Sequence, residues 1–149
     1  METTAFARLL RALAAMRREL EARLVAAHGL TVSDFEALLA LAQSDEGRMR
    51  RVDLAERLTL SPSGITRLLE GLEQAALVRK QQCADDQRVT WAVVTDAGRR
   101  TLEEAATVHD ETMRELVSAR LEREELRTLV DLLGRLPGGD VDGAPCRAT

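Results

Sequence analysis

Tyrosine is absent from the 149 residues, and the aromatics amount to Phe6, Phe35 and Trp91. An aromatic-lined ligand pocket is therefore hard to build, and Phe6 and Phe35 read as core residues. The two cysteines, Cys83 and Cys146, stand far apart and make neither a disulfide framework nor a zinc-ligand cluster. The longest uncharged run is the ten residues from Leu24 to Ser33, too short to cross a bilayer. The Met-Glu-Thr-Thr start lacks the basic-then-apolar order of a secretory signal, so a cytoplasmic protein with no membrane partner is expected. His28 and His109 are isolated from each other and from cysteine. Asp110 and Glu111 beside His109 read as a solvated helix face, so no metal is expected. No phosphate loop or nucleophile motif accompanies any pair of His, Cys or acidic residues, which argues against an enzyme and against a cofactor. No segment repeats with a period of 20–50 residues.

Against these absences stands ample core material, with 45% hydrophobic and 31% charged residues. The net charge of -4 argues against a protein coated in positive charge, but it hides an asymmetry. Residues 48–90 carry eight bases and six acids, a net of +2, and the remainder carries -6. A middle segment more basic than its flanks can meet a polyanion locally.

Periodicity supplies the element order. Phe6, Leu9, Leu10, Leu13, Met16, Leu20 and Leu24 recur at three- and four-residue steps, predicting a long helix that Gly29 closes. Ser33 with Glu36 has capping-box spacing and opens a second helix through Phe35, Leu38, Leu39 and Ala42. A short helix follows over 51–58. Ser61 as cap and Pro62 at the first helical position start the next, which runs to about Ala75. Val78 to Cys83 and Arg88 to Val94 read as two strands joined by Ala84-Asp85-Asp86-Gln87. Thr95 caps another long helix with Leu102, Ala105, Val108, Met113, Leu116 and Val117 on one side. Leu126 to Leu136 forms the last helix, and Pro137-Gly138-Gly139 ends it.

The centre of this order has helix-turn-helix spacing. Counting from Arg51, the buried places of such a unit hold Leu54, Leu58, Leu60, Ile65 and Leu68, and the place needing a small residue holds Ala55. The turn position, commonly glycine, holds Thr59. The second helix offers Ser61, Ser63, Gly64, Thr66 and Arg67 at its N-terminal end. That set suits a helix entering a major groove, where hydroxyls reach phosphates or base edges and Arg can take guanine by two bonds. For Ser61, capping is the main expected role. At the hairpin tip, Asp86 is expected to brace Arg88 by an ion pair, aiming the guanidinium at a narrow minor groove.

In these residues the chain resembles the MarR family of bacterial transcriptional regulators. The resemblance rests on Leu54-Ala55 with Leu58, Ser61-Pro62-Ser63-Gly64-Ile65-Thr66-Arg67-Leu68, Leu72-Glu73 before Leu77-Val78-Arg79, Asp86-Gln87-Arg88, and Thr95-Asp96-Ala97-Gly98. It implies a mainly α fold, a winged helix-turn-helix with a two-stranded β-hairpin wing flanked by long N- and C-terminal dimerisation helices. The segments would be 1–30 and 100–136 for dimerisation, 31–99 for DNA binding and 137–149 as a flexible tail. The implied function is that of a homodimeric repressor of a palindromic operator on double-stranded DNA, responsive to a small-molecule effector. The implied DNA-binding residues are Ser61, Ser63, Thr66, Arg67 and Arg88, with Asp86 supporting the wing. Two positions depart from the family pattern: Gln87 where a base is common, and Ala76 where glycine is common before Leu77. Peroxide-sensing relatives carry a reactive Cys near the N-terminal helix, and residues 1–82 contain none. Cys83, close to the wing, is the one redox candidate there, provided it is exposed with a lowered pKa. The net acidity and Gln87 leave open a second reading, a winged helix kept as a protein-interaction scaffold with DNA binding lost.

Overall fold

In the computed structural model, residues 1–138 are described; Cys146 and all but the first two residues of the predicted tail lie outside them. Helix α1 (Glu2–His28) ends as the sequence predicts, with Gly29 in the left-handed region at φ 66°. At 1.5 Å per residue its 27 residues span about 40 Å. Only its second half meets a core: Leu20 and Leu24 are buried, whereas Leu9, Leu10 and Leu13 face outward. Phe6 is 62% exposed, so it is not the core residue its type suggested.

Helix α2 (Val32–Gln43) is capped by Thr31, two residues before the predicted cap Ser33. Thr31 Oγ1 accepts from the Asp34 N–H at 3.0 Å, and the Asp34 carboxylate accepts from the Thr31 N–H at 2.9 Å. Ser33, predicted to cap, instead accepts from the Arg17 guanidinium, which also pairs with Glu36. Both pairs have capping-box spacing, and the earlier one prevails because it lets Val32 begin the helix and be buried.

A turn over Asp45–Gly47 leads to β1 (Arg48–Arg50), α3 (Arg51–Arg57), α4 (Pro62–Gln74), β2 (Val78–Gln82) and β3 (Thr90–Val94). The wing is thus two strands of a three-stranded antiparallel sheet in the order β1-β3-β2, with Arg50 opposite Trp91 and Gln81 opposite the same residue on the other side. β1 was not predicted: three residues are too few to show an alternating pattern. Arg48 lies over the Trp91 ring at 4.8 Å, a cation–π contact that ties this edge strand to the wing.

Both departures from glycine keep the backbone that glycine would supply. Thr59 sits at φ 54° and Ala76 at φ 59°. At Thr59 the chain turns so that the Leu60 N–H donates to Ala55 O at 2.8 Å, crossing α3 over α4. At Ala76 the turn is locked from the Thr95-Asp96-Ala97-Gly98 segment. Thr95 Oγ1 donates to Ala76 O at 2.7 Å and accepts from the Gly98 N–H at 3.0 Å, capping α5 (Asp96–Met113). Gly98 is required there, since a Cβ would lie 2.1 Å from the Leu77 carbonyl oxygen. The motif is a staple between α5 and the β2 entry.

The predicted helix from Thr95 does not run on unbroken. A π-helical turn, Arg114–Ser118, follows α5, and Arg120 Nη1 donates to the Glu115 and Leu116 carbonyls left open there. The last helix, α6 (Arg123–Gly134), opens on a Glu122–Glu125 capping box and stops before Leu136. One buried cluster joins Leu20 and Leu24 of α1, Phe35, Leu38 and Leu41 of α2, Leu54, Ile65, Leu69 and Leu72 of the helix-turn-helix, Val78, Ala92 and Val94 of the sheet, and Leu102 and Ala105 of α5. α6 contributes no buried residue to it.

Candidate nucleic-acid interface

Helix α4 is set by its buried side: Ile65, Leu69 and Leu72 face the core, and Leu68 packs at its edge. The other side is fixed by that choice and exposes Ser61, Ser63 and Arg67. Ser61 caps the helix, its Oγ accepting from the Gly64 N–H at 3.1 Å, and it lies 3.2 Å from the Ser63 hydroxyl. Thr66 is more committed than its exposed neighbours. Its hydroxyl donates to Pro62 O at 2.8 Å, leaving only acceptor capacity outward. A phosphate offers no proton, so in this arrangement Thr66 cannot bond one directly. It accepts instead from Arg51 Nη1 at 3.4 Å.

Arg67 makes no ion pair with Glu70 or Glu73; Glu73 takes Lys80 at 3.2 Å. At the wing tip Asp86 does not clasp the Arg88 guanidinium, as the sequence reading expected. Its Oδ1 accepts from the Arg88 backbone N–H at 2.9 Å, and its carbonyl accepts from the Val89 N–H at 3.0 Å. Asp86 therefore shapes the loop and leaves the guanidinium unengaged, because a carboxylate two residues away reaches the backbone amide first. Cys83 is half-buried at the end of β2, where its N–H donates to Val89 O.

The pairing of cations divides the region. Arg48 pairs with Glu46, Arg50 with Asp53 and Lys80 with Glu73. Arg50 is held twice by Asp53, at 2.6 and 3.0 Å, and this raises its already high pKa further. Arg67 and Arg88, by contrast, are exposed and have no ion-pair partner among the described residues, as is also true of Arg51, Arg57 and Arg79.

The only stacked ring pair among the described residues is Phe35 with His109, centroids 5.1 Å apart, and His109 Nδ1 lies 3.1 Å from Asp110. That contact accounts for His109, and no group of three or more potential metal ligands occurs among the described residues. A cleft of about 600 Å³ lies between α1, α2 and the helix-turn-helix turn, with Arg17, Glu36, Leu39, Arg57, Thr59 and Leu60 in its walls. No single described helix is long and apolar enough to cross a membrane.

A model of the MarR family matches residues 30–90. An HTH-type transcriptional regulator of Bacillus subtilis (strain 168), YdgJ, is 31% identical over 108 residues, which are 72% of this chain and 64% of the relative. The match thus spans less than two thirds of that regulator. AbsC, a MarR family transcriptional regulator from Streptomyces coelicolor, superposes with a TM-score of 0.79 at 32% identity, covering 89% of this chain and 88% of that one. Sco3205, a MarR family regulator from the same organism solved in complex with DNA, superposes with a TM-score of 0.81 at 26% identity, covering 89% and 82%.

Proposed function

The chain belongs to the MarR family of transcriptional regulators, and from that premise we propose that it acts as a homodimeric, ligand-responsive repressor of a palindromic operator. The observation that carries the reading is where open charge stands: Arg67 on α4 and Arg88 at the wing tip are both exposed and without an ion pair among the described residues. Guanidiniums left open at two points of one winged helix suit two grooves of one duplex. In this reading Ser63 and Arg67 meet the major groove, Ser61 caps, Thr66 positions and Arg88 enters the minor groove on a loop shaped by Asp86. The molecule catalyses nothing and works where the chromosome is, in the cytoplasm.

The dimer is built from segments 1–30 and 100–136, whose outward Leu10, Leu13, Val130 and Leu132 are each at least half exposed among the described residues. Two-fold pairing then puts half-site centres about 10–10.5 base pairs apart. The cleft against the helix-turn-helix turn is the proposed effector seat, since a ligand there touches both α1 and the element that orients α4.

Binding to palindromic duplexes at several salt concentrations tests the reading. The expected result is a log–log slope of several units from released counterions, flattened by about one unit per half-site in Arg88→Ala. An unchanged slope in that variant removes Arg88 from the interface, and no salt-dependent binding at all defeats the reading.

A further inference from the structure

Between the start of α3 and the base of the wing lies a hollow of about 140 Å³ lined by Arg50, Arg51, Val52, Arg88, Val89 and Thr90. It exists because β1 pairs with β3, which carries the start of α3 beside the base of the wing. The volume is well below the roughly 300–1,000 Å³ of sites for drug-sized ligands, so its occupant is a small group. The lining is basic. Arg50 is already claimed by Asp53, but Arg51 is exposed and has no ion pair among the described residues. Its one polar contact is to Thr66 on α4, whose own proton is spent inside the helix. Arg51 is thus held toward the duplex-facing side by an acceptor that leaves its charge uncompensated.

Duplex geometry says what passes there. A helix in the major groove and a hairpin arm in the adjacent minor groove are separated by one sugar–phosphate strand, which must cross the ground between them. Arg51 stands on that ground, touching α4 on one side and sharing the hollow with Arg88 on the other. We propose that Arg51, positioned by Thr66, seats a backbone phosphate of the DNA strand that runs between recognition helix and wing, one per half-site. The proposal rests on the DNA-binding reading above and deepens it. The contact fixes the register of both groove-reading elements and carries no sequence information itself.

The test uses the full chain and a duplex it selects from a randomised pool. Arg51→Gln keeps a hydrogen-bond donor for Thr66 and removes the charge. It is expected to weaken binding about tenfold or more, alike for every selected sequence, and to reduce the salt slope by about one unit per half-site occupied. Single phosphates of the duplex are then replaced one at a time by neutral methylphosphonates. The native protein should lose affinity at one position on that strand in each half-site, and Arg51→Gln should be insensitive there. If Arg51→Gln keeps the native slope, or if both proteins respond alike at every position, the phosphate seat is refuted while DNA binding stands. If the native protein selects no duplex, the DNA reading falls and this proposal with it. Circular dichroism melting of the variant checks that the fold is retained, and a selective change in base preference would instead make Arg51 a base reader, contradicting the proposal.

Discussion

The middle of the molecule and its two ends use the same residue types in opposite ways. In the winged helix and the helices packed on it, leucines are satisfied internally: Leu38, Leu41 and Leu54 are completely buried. In the first half of α1 and in α6 the leucines are equally regular in sequence and mostly face water, as Leu10, Leu13 and Leu132 do, each at least half exposed. Periodicity alone cannot separate these cases, because an amphipathic stripe states that a helix has a partner without saying which chain supplies it. A 12-residue helix such as α6, with no buried residue, is marginal by itself in water, and the proposed dimer would supply the packing it lacks. In the proposed dimer the centre holds itself together and the ends hold a second copy.

Four experiments break or sharpen that contrast. Leu54→Ala, in the centre, should cost about 2–5 kcal/mol in denaturant unfolding and should lower stability to the same extent at every protein concentration. Leu10→Glu combined with Leu132→Glu, at the ends, should leave the circular dichroism of the centre intact but lower DNA affinity at least about a hundredfold, since two linked half-site contacts become one. Retained affinity in that double variant would mean the ends do not pair subunits. Thr59→Gly should stabilise by about 1 kcal/mol, measured by the same unfolding assay, because a β-branched residue is held at φ 54° there.

The smallest effect concerns the join between the two regions. Arg23 of α1 pairs with Glu115 of the π-helical turn at 2.7 Å and holds its carboxyl below the usual 4.5. A lowered folded-state pKa stabilises above the unfolded value and is lost as pH falls through the folded one. Glu115→Gln should therefore melt slightly below the native protein near neutral pH, and the gap should close in acid below about pH 4.5. A gap that persists unchanged at low pH would assign the effect to packing.

Much of this was legible in the sequence, for identifiable reasons. Ser61-Pro62 fixed the start of α4 because cap and first-position signals act locally, and Gly29 fixed the end of α1 likewise. Thr95 was correctly read as a cap, but why Gly98 follows it was not, since the obstructing Leu77 carbonyl is distant in sequence. β1 was missed because three residues hold too little pattern, and with it went Arg51 as a candidate, whose contact with Thr66 spans 15 positions. Asp86 was placed in the right loop with the wrong bond, because composition does not tell a carboxylate bound to a backbone amide from one bound to a side chain.

Sedimentation equilibrium between about 1 and 100 micromolar, a range that brackets micromolar dissociation constants, asks directly whether the ends pair two subunits. The expected mass is twice 16.4 kDa, falling to 16.4 kDa in the Leu10→Glu, Leu132→Glu variant. A native protein that stays at 16.4 kDa throughout that range would contradict it.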